Sequence, residues 1–145
     1  MKVKRFPAIL CLMMLVTTFL TPALAAEPEE NVVDLGDGFY MVETVTQYTV
    51  TRSGNIVGGE KTGKVYQGST LVGTATLTAA FDISGSTAKA VSASITGTGS
   101  NGWTYDRGST GRSGNKATGT AYFKNGSAEK SVTITLACSP DGTLS

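Results

Sequence analysis

Histidine is absent from this chain. That removes the commonest general base, the usual partner of a nucleophilic serine or cysteine, and the imidazole ligand of a zinc site. Cysteine is nearly absent: Cys11 and Cys138 are the two present. Proline is confined to Pro7, Pro22, Pro28 and Pro140, so nothing in the chain between breaks a strand by ring chemistry. Tryptophan occurs once, at Trp103. Long apolar runs are missing after residue 20, and no window shows helical spacing of apolar residues.

The one apolar run belongs to the first residues. Lys2, Lys4 and Arg5 precede Phe6–Leu20, and Ala23-Leu24-Ala25-Ala26 follows Thr21-Pro22. A basic start, a short apolar stretch and an A-x-A site describe a secretory signal peptide, residues 1–25, with Ala26 as the alternative cut. The run is short for a membrane span and no second one follows, so the mature chain is expected to be secreted, extracellular and without a stable membrane span. Cys11 lies too early in the run, behind Leu10, to be a lipid-attachment cysteine.

Removing Lys2, Lys4 and Arg5 leaves nine bases against eleven acids, a net charge near −2 where the full chain carries +1. Acids crowd residues 27–43, and the rest carries a mild basic excess. No concentrated basic stripe calls for nucleic acid. The lone mature thiol, Cys138, cannot form an internal disulfide and is either buried or paired with another chain.

What is present is serine, threonine and 18 glycines, arranged in period two. Residues 26–38 are acidic, carry Pro28 and read as a flexible arm. A single β domain spans 39–145, its chain long enough for one core. Strands are expected over 39–52, 64–67, 71–83, 88–96, 103–105, 117–123 and 128–138, with loops over 97–102 and 107–115. Leu71, Ala75, Leu77, Ala79, Phe81 and Ile83 share one face, with Val91, Ala93 and Ile95 expected inward from the next strand. A loop centred on Gly85 sets Ala79 opposite Val91 and Leu77 opposite Ala93. Asn125-Gly126 turns the last hairpin, setting Phe123 opposite Ala128 and Gly119 opposite Val132. Ala117, Ala121, Phe123, Val132, Ile134, Leu136 and Cys138 line its inner face. The fold class is all-β: a small antiparallel β-sandwich or partly open barrel of about seven strands.

Three stretches carry a resemblance: residues 34–40, DLGDGFY; Trp103-Thr104-Tyr105 with residues 113–123; and 132–138, VTITLAC, with 142–145. They are similar to a group of small secreted β-rich proteins of anaerobic Gram-positive bacteria. The resemblance implies export and a bacterial origin and brings no site with it; it also implies a buried thiol at Cys138.

The remaining motifs are weak. Gly97-x-Gly99-x-x-Gly102 matches a dinucleotide fingerprint in letters, but Trp103-Thr104-Tyr105 is a strand signal where a helix N-terminus is needed. Residues 54–62 imitate a phosphate loop, with Glu60 where lysine belongs. Arg-Ser-Gly-Asn at 52–55 and again at 112–115 reads as turn chemistry used twice, and Asn125-Gly126-Ser127 is a glycosylation sequon in form only. Glu60, Asp82, Asp106 and Glu129 could supply a carboxylate pair, yet they fall singly on different elements. No enzyme, cofactor or metal is expected. The candidate contact residues are Trp103, Tyr105 and Arg107, placed on one face of a short strand: an aromatic pair beside a guanidinium suits a glycan or an envelope or host protein. Against this, a core poor in large side chains favours Trp103 as its plug. The function expected is a secreted, non-enzymatic binding module, with a bacteriocin-like β toxin or a matrix component as alternatives.

Overall fold

The computed structural model describes residues 29–50 and 54–145. Residues 1–28, which include the expected signal peptide, and residues 51–53, with Arg52 of the first Arg-Ser-Gly-Asn, lie outside them. The chain is all-β, without a helix among the described residues. Eight strands follow one another along the chain: β1 (Glu30–Gly36), β2 (Phe39–Val50), β3 (Ile56–Gln67), β4 (Thr70–Asp82), β5 (Lys89–Gly99), β6 (Thr104–Ser113), β7 (Lys116–Asn125) and β8 (Ala128–Ala137). Strands β1 to β5 form one sheet in sequence order and β6 to β8 a second. The two face each other as a small sandwich, and the barrel alternative is not closed.

Alternation builds the interior. Met41, Val65, Ala75, Leu77, Ala79 and Phe81 of the larger sheet meet Ala117, Ala121, Phe123, Val132, Ile134 and Leu136 of the smaller. The opposite face of the larger sheet is a threonine surface: Thr44, Thr62, Thr76 and Thr96 stand opposite one another across four strands. Thr62 and Thr76 share a hydroxyl hydrogen bond of 3.1 Å. Threonine suits both demands, a β-branched stem for the pleat and a hydroxyl for water.

The expected parities hold up to the Ala80–Ser92 pair of β4–β5 and along the last hairpin, and the registers move by two. Ala79 stands opposite Ala93 and Leu77 opposite Ile95, because the connection between the paired Asp82 and Lys89 spans residues 83–88, longer than a tight loop about Gly85. The Asp82 carboxylate accepts the Ser84 N–H at 2.8 Å and starts the turn early. A bulge between Ala80 and Phe81 then turns Ala88 and Ala90 inward and leaves Val91, expected inside, 40% exposed. In the last hairpin Asn125 pairs with Ala128, so the loop is Gly126-Ser127. Gly126 at φ 59° takes the first turn position, and Phe123 falls opposite Lys130, with Gly119 opposite Ile134.

Three expectations need correction. Residues 30–36 of the arm are a strand, joined to β2 by Asp37-Gly38, both at positive φ (56° and 77°), a two-residue hairpin turn. Strand β3 begins at Ile56 and not at Lys64. Gly59 and Gly63 face inward there, in the space that Leu144 and Met41 fill. Strand β6 runs on to Ser113 through the expected 107–115 loop, paired with β7 along its length.

Beyond β8 the chain doubles back. Ala137 and Ser145 exchange both backbone hydrogen bonds, at 2.9 and 3.0 Å, and Cys138 pairs with Leu144. Leu144 thereby packs beside Gly59, and Gln47 holds the returning segment with bonds to the Gly142 carbonyl and the Leu144 N–H.

Candidate functional site: a split seam between the sheets

The sandwich has two seams, where edge strands of the two sheets approach. One lies between β1 and β8, where the Lys130 ammonium donates to the Leu35 carbonyl at 2.9 Å and sits 4.6 Å from the Phe39 ring centre. The other lies between β5 and β6, which the chain enters through Ser100-Asn101-Gly102-Trp103. Asn101 and Gly102 have φ of 53° and 85°, and the Trp103 N–H returns to the Ser100 carbonyl at 3.0 Å. These two strands run side by side from that turn, yet no ladder joins them among the described residues.

Side chains hold them apart. The Tyr105 ring lies against Gly97, where a Cβ would come within 2.5 Å of it. Ile95 reaches across to Gly108 and Gly119, where added Cβ atoms would meet it at 2.6 and 2.7 Å. Past this wedge the strands are bridged again only at their far ends. The Ala90 N–H donates to the Gly114 carbonyl at 2.8 Å, and the Arg112 guanidinium donates to the Val91 carbonyl. What results is an open cleft of about 830 Å³ lined by residues 89–93 and 110–114. Its walls are strand edges, and its charged side chains are Lys89 and Arg112. Asp82 stands opposite Lys89 across the β4–β5 pair. Hydrogen bonds from Ser84, aided by the Lys89 charge, hold the Asp82 carboxyl below its ordinary range.

The residues nominated from sequence divide between two faces. Trp103 is half-buried, edge-on to Phe39 with ring centres 6.0 Å apart. Tyr105 is half-buried and edge-on to Phe123, also at 6.0 Å. Both pack against the core. Arg107 points away from them, because a bulge between Tyr105 and Arg107 reverses the alternation. Its guanidinium lies 4.1 Å from the Tyr122 ring centre on the outer face. The shared face expected for the three residues does not form.

Arg107 instead joins a charge cluster with Lys124, Asp106 and Glu129. Asp106 lies 3.1 Å from the Lys124 ammonium and 2.5 Å from Arg107; Glu129 lies 3.8 and 3.4 Å from the same two groups. Lys124 first, and then Arg107, lower the Asp106 pKa, while Asp106 raises that of Arg107. Two of the four acids considered from sequence thus meet, but on an open sheet face where cations neutralise both, an arrangement that contributes little energy in water. Glu60 lies on the larger sheet, accepting from Thr78 at 3.4 Å. Cys138 is fully buried, its thiol donating to the Ser139 carbonyl at 3.4 Å, and burial pushes its pKa up.

The cleft is not legible as a site in the sequence, since edges do not show in a one-dimensional pattern. The signal that points nearest is the glycine-rich stretch at 107–115, whose composition reads as a loop. No matching family model, curated protein or solved structure was found for this chain, so the split β5–β6 seam stands on its own geometry.

Proposed function

We propose that the mature chain acts outside the cytoplasm as a non-catalytic binding module, and that its β5–β6 cleft takes an extended, acidic segment of a partner polypeptide. The observation that carries this reading is the pair of facing strand edges that form no ladder among the described residues and are tied across the cleft by the Ala90–Gly114 backbone bond and by Arg112 on the Val91 carbonyl. An unpaired edge presents a row of N–H and C=O groups that an extended chain satisfies as an added strand. Lys89 and Arg112 line the cleft, with no acidic side chain among the lining residues, which favours a negatively charged occupant on entry. The signal-like start of the chain supports the location, and the absence of histidine supports a non-catalytic role.

The test is an NMR titration of the ¹⁵N-labelled mature chain with an extended octapeptide of alternating glutamate, threonine and valine, and with its lysine counterpart. The acidic peptide should shift amides in 89–93 and 110–114 and bind more weakly as salt rises. Arg112→Glu should abolish the effect. Equal binding of both peptides, or shifts centred elsewhere, would remove this reading.

A further inference from the structure

Glu43 is the one charged residue buried among the described residues, at 6% exposure. It lies on β2 between β1 and β3, beside the β8 edge that Lys61 of β3 reaches. A cavity of about 410 Å³ opens there, bounded by Asn31, Glu43, Val45, Gln47, Lys61 and Leu144, with Glu29 and Ser145 at its rim. The size is at the small end of ligand sites, which run from about 300 to 1,000 Å³.

The polar groups at its floor are ordered by the fold. Asn31, Glu43 and Lys61 sit on the inward-facing positions of three adjacent strands. The Lys61 ammonium lies 3.3 Å from Glu43 Oε2 and donates to the Thr135 carbonyl of β8 at 3.1 Å. The Asn31 amide donates to the same Oε2 at 3.2 Å. Both partners engage one oxygen, so Oε1 is the acceptor left for a ligand, and Lys61 keeps one of its three N–H donors. Gln47 pins the returning segment that carries Leu144 over the opening.

Stability alone gives little reason for this pair. Apolar residues of similar volume commonly serve a fold as well as or better than a buried ion pair, and the neighbouring inward positions, Met41 and Val65, are apolar and buried. We infer that the Glu43–Lys61 pair is the recognition floor of a binding site for a small neutral polyhydroxylated molecule, a monosaccharide or polyol. The pair is already neutralised, so it offers no net charge for an ion to balance, and Glu29 at the rim opposes anions. A hydroxyl group both donates and accepts, and can satisfy Oε1 and the spare Lys61 N–H without breaking the pair. Val45 and Leu144 supply the apolar wall that the C–H face of a sugar ring covers. This site is separate from the β5–β6 cleft and stands or falls without it.

The experiment is protein-observed NMR on the ¹⁵N-labelled mature chain. It is titrated with methyl glucoside, N-acetylglucosamine and inositol, and with glycine, acetate and methylamine as charged controls. At least one neutral probe should produce saturable shifts at the amides of residues 31, 43, 47, 61 and 144. Asn31→Ala, on the exposed edge strand, should weaken that binding about fivefold, and Glu43→Gln at least about tenfold, as expected for losing a neutral and a charged hydrogen-bonding partner. If Glu43→Gln fails to fold, Asn31→Ala decides. The inference is overturned by any of three results: no saturable shift with the neutral probes, shifts from a charged control alone, or binding unchanged in the variants that fold.

Discussion

At the scale of single residues, the glycines of this chain differ by what surrounds them. Gly73 sits inward on β4, where a Cβ would come within 2.5 Å of the Phe123 ring and 2.6 Å of the Thr98 carbonyl. The second of these is backbone and cannot step aside. Gly111 lies on exposed β6, where an added Cβ would meet nothing within 4 Å, and its φ is outside the left-handed region. Gly73→Ala should therefore destabilise the fold by about 1–3 kcal/mol through overpacking. Gly111→Ala should be neutral or stabilise by up to about 1 kcal/mol, because it removes backbone freedom from the unfolded chain. Urea melts of the two variants beside the parent check this. Equal losses would show that the close approach of Gly73 to Phe123 is not what sets its identity.

At the scale of elements, what could be read from sequence was parity, because a single buried face dictates which residues of a strand point inward. Leu77, Ala79, Phe81, Val132, Ile134 and Leu136 are inside for that reason. Register was less legible, since it depends on which residue of Asn125-Gly126-Ser127 takes the first turn position and on where Asp82 caps its loop. The strands whose extent the sequence hides, β1, β3 and β6, carry acids or glycines at positions where composition argues against a strand. For β1 the clue is Asp37-Gly38 between Val33, Leu35 and Phe39, a hairpin signal masked by the acidic residues around it. The candidate sites were least legible, because both arise where two sheets fail to meet along an edge, and Glu43 and Lys61 become neighbours only through the β2–β3 register. That placement of β1 makes a prediction. It is an edge strand with its neighbour on one side only, and Val32 is 65% exposed. Its amides should exchange with solvent faster than those of β3 and β4 by orders of magnitude, yet slower than an unstructured segment. Hydrogen exchange of residues 30–36 at the rate of a free chain would return that segment to the status of an arm.

At the scale of the whole molecule, the charge inventory sets how stability responds to pH. With no histidine, the side chains hold nothing that ordinarily titrates between about pH 5 and 8. The resolved carboxylate shifts all point one way. Asp141 is lowered by hydrogen bonds from Ser139 and Thr143, Asp106 by Lys124 and Arg107, and Asp82 by Ser84. Each of these groups binds its proton more weakly when folded than when unfolded. Their contributions are therefore complete above the unfolded value of about 3.9 and fade as pH falls through and below it. Asp106 and Asp141 are exposed and Asp82 is half-buried, so the fade is shallow. Melting temperature measured across the range should be flat from about pH 8 down to 5 and decline below about pH 4. Raising the salt concentration should flatten the Asp106 part of that decline, because its partners are charged, and leave the Asp82 and Asp141 parts, which rest mainly on local hydrogen bonds. Asp141→Asn should accordingly shrink the acid-side decline even in high salt, whereas Asp106→Asn should do so only in low salt. A melting curve that instead bends between pH 6 and 7 would contradict this charge inventory, because the chain has no histidine.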